Sequence, residues 1–275
     1  MKSSRWLTSS LPVLRGLRHN NVIWEFRDAF NFMANLEDER WIKSKCHTTK
    51  GPYLQPFAPN PSWRNAEVFI VGLNPITSFR EEFDSFDHYW QSLTSEPELY
   101  EKTQQAKYLK QEAARSRTSL RIAELTKHLS PLNTLVTNVF SYPSTNPSLI
   151  PQQYRREPVH ERIISRLLVV CKPKVLLFHG AEARKFASMY FSVQLDPYLP
   201  PEKQNDWGWI PNAATPSMLL AYHHLVGRVD TSEEVAKRLK QFAKLIRRRL
   251  NGTGTKSVIL YFTSALPVGL INLMG

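Results

Sequence analysis

The sequence has few cysteines: only Cys46 and Cys171 occur in 275 residues. They lie far apart and without the spacing of metal ligands. Neither a disulfide framework nor a four-cysteine zinc or iron–sulfur site can be built from them. We therefore expect a reducing, cytoplasmic setting, with no metal and no other cofactor.

Glycine is scarce where a dinucleotide-binding protein would need it. The apolar run VFIVGLNP offers one glycine at its end, whereas the pyrophosphate turn of a Rossmann sheet requires G-x-G-x-x-G. This absence disfavours an enzyme that uses a dinucleotide cofactor.

A continuous hydrophobic run is missing from the N-terminus, which is basic and does not resemble a secretory signal. The segment 257–275 is nearly uncharged and approaches the length of a membrane span. Its proline, glycine and asparagine weaken a helix, and its run VILYF also suits a strand. We expect residues 252–275 to form a docked or disordered tail rather than a membrane anchor.

The chain has an excess of positive charge, with 36 Lys and Arg against 24 Asp and Glu and a formal net charge of +12. This balance suits a polyanionic partner such as nucleic acid. Ribosomal, membrane-surface and heparin-binding proteins share it, so charge favours DNA or RNA only modestly. A basic surface without a specific partner is the alternative.

Short apolar runs alternate with amphipathic segments along the chain. The predicted strands are EVFIVGL, TLVTNVF, KVLLFHG and SMLLAYHH. The predicted helices include LRIAELTKHL, HERIISRLLVVC, AEARKFASMYF and TSEEVAKRLKQFAKLIRRRL. This alternation predicts an α/β fold, a three-layer αβα sandwich around a central four-stranded, mainly parallel sheet. We expect one domain over residues 1–251, with an N-terminal helical segment, 1–60, and a core, 61–251.

Polar residues end or follow all four predicted strands: Asn74, Asn138, His179 and His223. Ligands of parallel α/β sheets bind at the carboxyl ends of the strands. The sequence therefore predicts a polar site at this edge of the sheet.

The run VGLNP at the end of the first strand resembles the first motif of the uracil-DNA glycosylase superfamily. The mismatch-specific and single-strand-selective branches carry Gly-x-Asn-Pro there. LVTNVFSYP resembles the uracil-recognition strand, and LLFHGAEARKF resembles the third strand with its helix. LLAYHHLVG falls where the family places its His-Pro-Ser loop. The resemblance covers residues 67–228 and implies a uracil-DNA glycosylase-like fold.

The resemblance implies a monofunctional, metal-independent DNA glycosylase. Such an enzyme flips a damaged or modified pyrimidine and hydrolyses its N-glycosidic bond, leaving an abasic site. Uracil-type bases and hypermodified cytosines are the implied substrates, in base-excision repair or in defence against phage. We expect a monomer with DNA as its partner and no membrane association. The alternative is a non-catalytic DNA- or RNA-binding member of the same fold.

Two catalytic residues are implied, Asn74 and His223. Asn74 would position the hydrolytic water, or else cap a strand-to-helix turn. His223 or His224 matches the motif histidine, His223 by register, and would donate a hydrogen bond to the base carbonyl and stabilise the departing anion. Related families carry aspartate in place of Asn74, and an amide gives less electrostatic help. Slow turnover, or assistance from Asp84 or Asp87, would follow.

Four base-binding residues are implied. Asn138 would read the base edge through its amide donor and acceptor, or else be a satisfied residue at the strand end. Phe86 or Phe79 would give the flipped base an aromatic platform, or else pack the loop. Ile76 lies where classical uracil enzymes carry a tyrosine that excludes the thymine methyl, and would shape the pocket.

Five further residues are predicted to contact DNA: His224, Leu225, Arg228, Arg117 and Ser144. His224 and Leu225 replace the Pro and Ser of the family loop, so the phosphate contact of that serine is lost. Leu225, Val226 or Arg228 would instead wedge into the duplex where the base has left.

Overall fold

The computed structural model of this chain describes residues 36–110, 116–156, 159–191, 195, 207–208, 217–222 and 232–251. The chain divides into two compact units, Met1–Arg40 and Trp41–Gly275. Of the first unit, the helical residues 36–40 are described. The N-terminal helical segment up to residue 35 and the tail 252–275 lie outside the described residues.

Strands and helices alternate in the second unit. The strands are β1 (Val68–Gly72), β2 (Thr134–Asn138), β3 (Val175–His179), β4 (Trp207–Gly208) and β5 (Ser217–Tyr222). The first helix, α1, covers residues 36–46. The others are α2 (Phe86–Thr94), α3 (Pro97–Lys110), α4 (Arg117–Leu129), α5 (Gln152–Arg156), α6 (Val159–Cys171), α7 (Ala181–Phe191) and α8 (Ser232–Leu250).

The strands form one sheet in the order β2-β1-β3-β5-β4. Strands β2, β1, β3 and β5 are parallel, and β4 pairs antiparallel with β5 at one edge. The predicted α/β class and the four parallel strands are confirmed. The sequence did not predict β4, because two residues are too short to show an alternating pattern.

Apolar cores lie on both faces of the sheet. Successive residues of a strand point to opposite faces, so a strand buried on both sides is apolar on both, as β1 is and as β3 is up to His179. One core joins Phe69 and Val71 to apolar residues of α2, α6 and α7. The other joins Val68 and Ile70 to α4 and α8. This arrangement is consistent with the predicted three-layer sandwich.

Helix α2 begins in a segment that its aromatic and acidic residues did not mark as helical. Ser85 caps it by accepting a hydrogen bond from the backbone N–H of His88 at 3.2 Å. Five of its nine residues are buried, so tertiary packing stabilises this helix. Among the helices that the structure describes, none is both long and apolar enough to cross a membrane.

Candidate functional site

The carboxyl ends of the parallel strands bring one row of residues together. Asn138 of β2 pairs with Gly72 of β1, and His179 of β3 pairs with Tyr222 of β5. Gly72 and His179 lie side by side across the sheet, because the residues before them, Val71 and Phe178, are paired in the β1–β3 ladder. Residues at one level of a parallel sheet share a face. This row lies on the face that α4 and α8 cover.

Gly72 lets the two polar side chains beside it converge. A Cβ atom placed on Gly72 would lie 2.8 Å from Oδ1 of Asn138 and 3.0 Å from Nε2 of His179. The first distance is shorter than real Cβ contacts and the second is tighter than most of them, so a larger residue would displace at least one side chain. The absence of a side chain at position 72 therefore allows the amide and the imidazole to meet above one strand.

His179 is 7% exposed, whereas Asn138 is half-buried. Within the described part of the chain, the Asn138 amide has no hydrogen-bond partner. An asparagine amide carries both a donor and an acceptor. The pair therefore presents hydrogen-bonding capacity at the end of the sheet.

Asn74 joins the loop after β1 to the loop after β2. Its Nδ2 donates to the carbonyl oxygens of Pro75 at 2.8 Å and of Ser144 at 2.7 Å. The Ser144 N–H donates in turn to the Pro75 carbonyl at 2.7 Å. Both Nδ2 hydrogens are therefore bound to carbonyl oxygens, which fixes the orientation of the amide. The amide oxygen, Oδ1, remains as an acceptor. No group among the described residues donates to that oxygen.

The pairing of β1 with β2 continues beyond both strands. The N–H groups of Val139 and Phe140 donate to the carbonyls of Gly72 and Leu73 at 2.9 and 2.8 Å. Together with the bonds of Asn74, these contacts hold both loops as one layer. The structure therefore brings together two residues predicted as a catalytic and a DNA-binding group, Asn74 and Ser144.

A buried histidine positions the loop after β2. Nδ1 of His160 accepts a hydrogen bond from the Ser141 N–H at 3.1 Å, and its ring packs edge-on against Phe140. Burial lowers the pKa of His160 from 6.5 to about 4. His160 is therefore neutral near pH 7, with its proton on Nε2, and can accept the backbone bond.

Two aromatic candidates lie in the core on the opposite face of the sheet. Phe79 is 2% exposed and packs against Tyr100, and Phe86 is 7% exposed and stacks on His47. Their predicted role as a base platform does not fit this arrangement, since each ring is buried against protein. Ile76 lies on the loop after β1 and is 47% exposed.

Arg117 is exposed at the first position of α4. The last turn of α4 leads into β2 at the amino edge of the sheet, so its first turn points towards the carboxyl edge. Ser116 caps this turn by accepting from the Ser119 N–H. Arg117 therefore begins a helix on the same sheet face as the polar row. The predicted residues His223, His224, Leu225 and Arg228 lie outside the described residues.

The two carboxylates considered as catalytic helpers lie at the start of α2 rather than on the polar row. The Asp84 side chain is almost fully exposed. Asp87 pairs with Lys43 at 2.7 Å, and this bond lowers the pKa of its carboxyl group. Neither residue belongs to the face that carries Asn138 and His179.

Sequence reasoning did not assign a role to three residues of this site. His179 was recognised as polar at a strand end, but its approach to Asn138 depends on strand register. Gly72 and His160 gave no separate signal, because their importance comes from neighbours that are distant in sequence. A glycine that ends a buried strand was the available indication of a close approach.

The fold and the site define an α/β protein with a polar row at the carboxyl edge of a parallel sheet. Comparison with protein-family models and with curated proteins gives no match to this chain. The architecture and the geometry of the row are therefore the grounds for a functional assignment.

Proposed function

We propose that this protein is a DNA glycosylase that flips a damaged or modified pyrimidine and hydrolyses its N-glycosidic bond. The convergence of Asn138 and His179 above Gly72, beside the loop that carries Asn74, is the observation that supports this most directly. The net charge of +12 favours a polyanionic substrate. The proposed substrates are uracil-type bases and hypermodified cytosines.

Asn138 is the proposed base-reading residue. An amide with one donor and one acceptor matches the edge of a pyrimidine, which offers the complementary groups. Its position at the end of β2 holds it on a rigid element, with its Oδ1 beside Gly72. His179 of β3, on the other side of β1, is proposed to bind the same base through a ring nitrogen.

Asn74 is proposed to hold the attacking water. With both Nδ2 hydrogens bound to carbonyls, its Oδ1 can accept a hydrogen bond from water. The water oxygen bonds to the sugar carbon while the base leaves with the electrons of the glycosidic bond. An amide does not take up a proton near pH 7, so the proton released by the water ends on the departing base. His223 is proposed to stabilise that base as it leaves.

Base release from DNA tests this function. Uracil-containing oligonucleotides and naturally hypermodified phage DNAs are incubated with the protein, and abasic sites are detected by strand cleavage. Asn74→Ala, Asn138→Ala, His179→Ala and His223→Ala are expected to abolish or strongly reduce release. Asn251→Ala, at the exposed end of α8, is the control and should retain it. Failure of the wild-type protein to release any base would contradict the proposal.

A non-catalytic DNA- or RNA-binding protein is the second candidate. The placement of Asp84 and Asp87 away from the polar row favours it, because neither carboxylate can assist Asn74 there. Such a protein would bind abasic or modified DNA without releasing a base. Tight, salt-dependent binding combined with no base release would establish this function in place of the first.

A further inference from the structure

Residues 48–51, between α1 and β1, form a basic loop whose backbone carbonyls bind a single arginine. Arg80 donates to the carbonyl oxygens of Thr48, Thr49 and Gly51 at 2.9, 3.2 and 2.6 Å. The guanidinium of Arg80 therefore binds three backbone carbonyls within residues 48–51. Arg80 is held in place by Tyr53, whose ring centre lies 4.9 Å from its Cζ.

The carbonyl bonds of this loop determine where its N–H groups point. In a trans peptide the N–H points opposite to the carbonyl of the same unit. The N–H groups of Thr49 and Lys50 are therefore directed away from Arg80. Within the described residues, neither N–H has an acceptor. Successive backbone N–H groups without acceptors are the groups from which anion-binding sites are built.

An open pocket of about 320 Å³ lies against the same loop. Lys45, Lys50 and His47 contribute its basic side chains, and among the residues that the structure describes no carboxylate lines it. Hydroxyl-bearing residues complete the polar part of the lining: Ser44, Thr48, Thr49 and Tyr154. The pocket thus offers cations, hydroxyls and amide donors, which is the chemistry that binds phosphate.

His47 adds an aromatic surface to this pocket. Its ring stacks on Phe86 with 4.6 Å between the centroids and 9° between the planes. The residue is nevertheless exposed, so Phe86 supports the imidazole while part of the residue remains accessible to solvent. A supported, exposed ring beside cationic groups is the arrangement on which bases of single strands stack.

The pocket connects to the carboxyl edge of the sheet through two tyrosines. Tyr154 of the pocket packs against Tyr142, with 4.7 Å between the ring centroids. Tyr142 lies on the loop after β2, four residues beyond Asn138, a stretch of at most about 14 Å.

We propose that this pocket binds one nucleotide of a DNA strand, with its phosphate on Lys45, Lys50 and the loop amides and its base stacked on His47. The inference deepens the proposed function, because it takes DNA as the ligand. The proposed nucleotide binds outside the polar row, so its binding is measured separately from base release.

Binding of oligothymidylate, followed by fluorescence anisotropy over a range of salt concentrations, tests the phosphate contacts. Oligothymidylate contains no uracil or modified base, so binding is read without excision. Lys45→Gln with Lys50→Gln should reduce the slope of log affinity against log salt by about 0.7, since neutralising one single-strand phosphate contributes about 0.7. The matched control is Lys127→Gln with Lys172→Gln, two exposed lysines at the amino edge of the sheet.

The stacking contact needs a separate variant. His47→Ala should weaken oligothymidylate binding about tenfold and leave binding of a strand of abasic nucleotides unchanged. His128→Ala, on the last turn of α4, is the control for loss of a histidine.

Several outcomes would overturn the inference. Equal losses for the two lysine pairs would show a general effect of charge. Unchanged binding of the pocket variants would exclude a nucleotide there, even if the protein releases bases. An equal loss of both probes for His47→Ala would exclude stacking.

Discussion

The side-chain nitrogen of Asn74 donates to the carbonyl oxygen of Ser144 at 2.7 Å, and this bond joins the loops that follow β1 and β2. The same nitrogen donates to the Pro75 carbonyl, so the amide of Asn74 has a structural task. A proposed catalytic residue is thereby also a part of the scaffold. A substitution at position 74 is therefore expected to change both the stability of the two loops and base release.

Asn74→Asp tests the structural task. A carboxylate cannot donate, so the Pro75 and Ser144 carbonyls would face a negative charge and lose the bonds from Asn74, at a cost of about 1–3 kcal/mol in the free energy of unfolding. Chemical denaturation measures this change. Asn146→Asp is the control, because Asn146 accepts from the Ser148 N–H and a carboxylate accepts equally well. A fully stable Asn74→Asp variant would contradict the observed bonds.

Gly72→Ala tests the convergence of Asn138 and His179. The added methyl would lie 2.8 Å from one side chain and 3.0 Å from the other, so at least one must move. We expect loss of base release together with a cost of about 1–3 kcal/mol in unfolding free energy. Val71→Ile enlarges the same strand on its opposite face and should retain base release. Equal activity of Gly72→Ala and the wild type would rule out a role for this geometry.

His160 should make stability depend on pH. The pKa of His160 is about 4 in the folded protein and 6.5 in the unfolded chain. Between pH 6.5 and pH 4, therefore, only the unfolded chain takes up a proton at this residue. The free energy of unfolding should therefore fall by about 1.4 kcal/mol per unit as pH decreases from 6.5 to 4, about 3 kcal/mol in all.

Urea denaturation across this pH range measures the effect of His160. His160→Gln should remove its share of the slope, whereas His128→Gln, at a less buried position, should keep it. Identical slopes for the wild type and His160→Gln would show that His160 does not titrate as described.

Arg80→Lys should loosen the basic loop. Lysine cannot replace the guanidinium that reaches the Thr48, Thr49 and Gly51 carbonyls from two nitrogens. We expect faster tryptic cleavage after Lys50 and a loss of about 1–3 kcal/mol in unfolding free energy. Arg162→Lys, on the exposed face of α6, is the control. An unchanged cleavage rate would show that Arg80 does not order the loop.

The sequence by itself determined the α/β class, the four parallel strands and the polar residues that end them. These features depend on local patterns: short apolar runs, amphipathic periods and a change to polar residues at each strand end. The same local patterns left α2 and β4 unpredicted. Helix α2 is stabilised by the burial of its aromatic face, and β4 is too short to carry a period.

Only the tertiary structure decided which polar residues meet. Asn138 and His179 approach each other because strand register makes them level with Gly72, and register is set by pairing between segments distant in sequence. The burial of Phe79 and Phe86 follows from packing against α3 and the segment between α1 and β1, which no local pattern reports. Local chemistry thus determined the kinds of residue at the sheet edge, and long-range packing determined their arrangement.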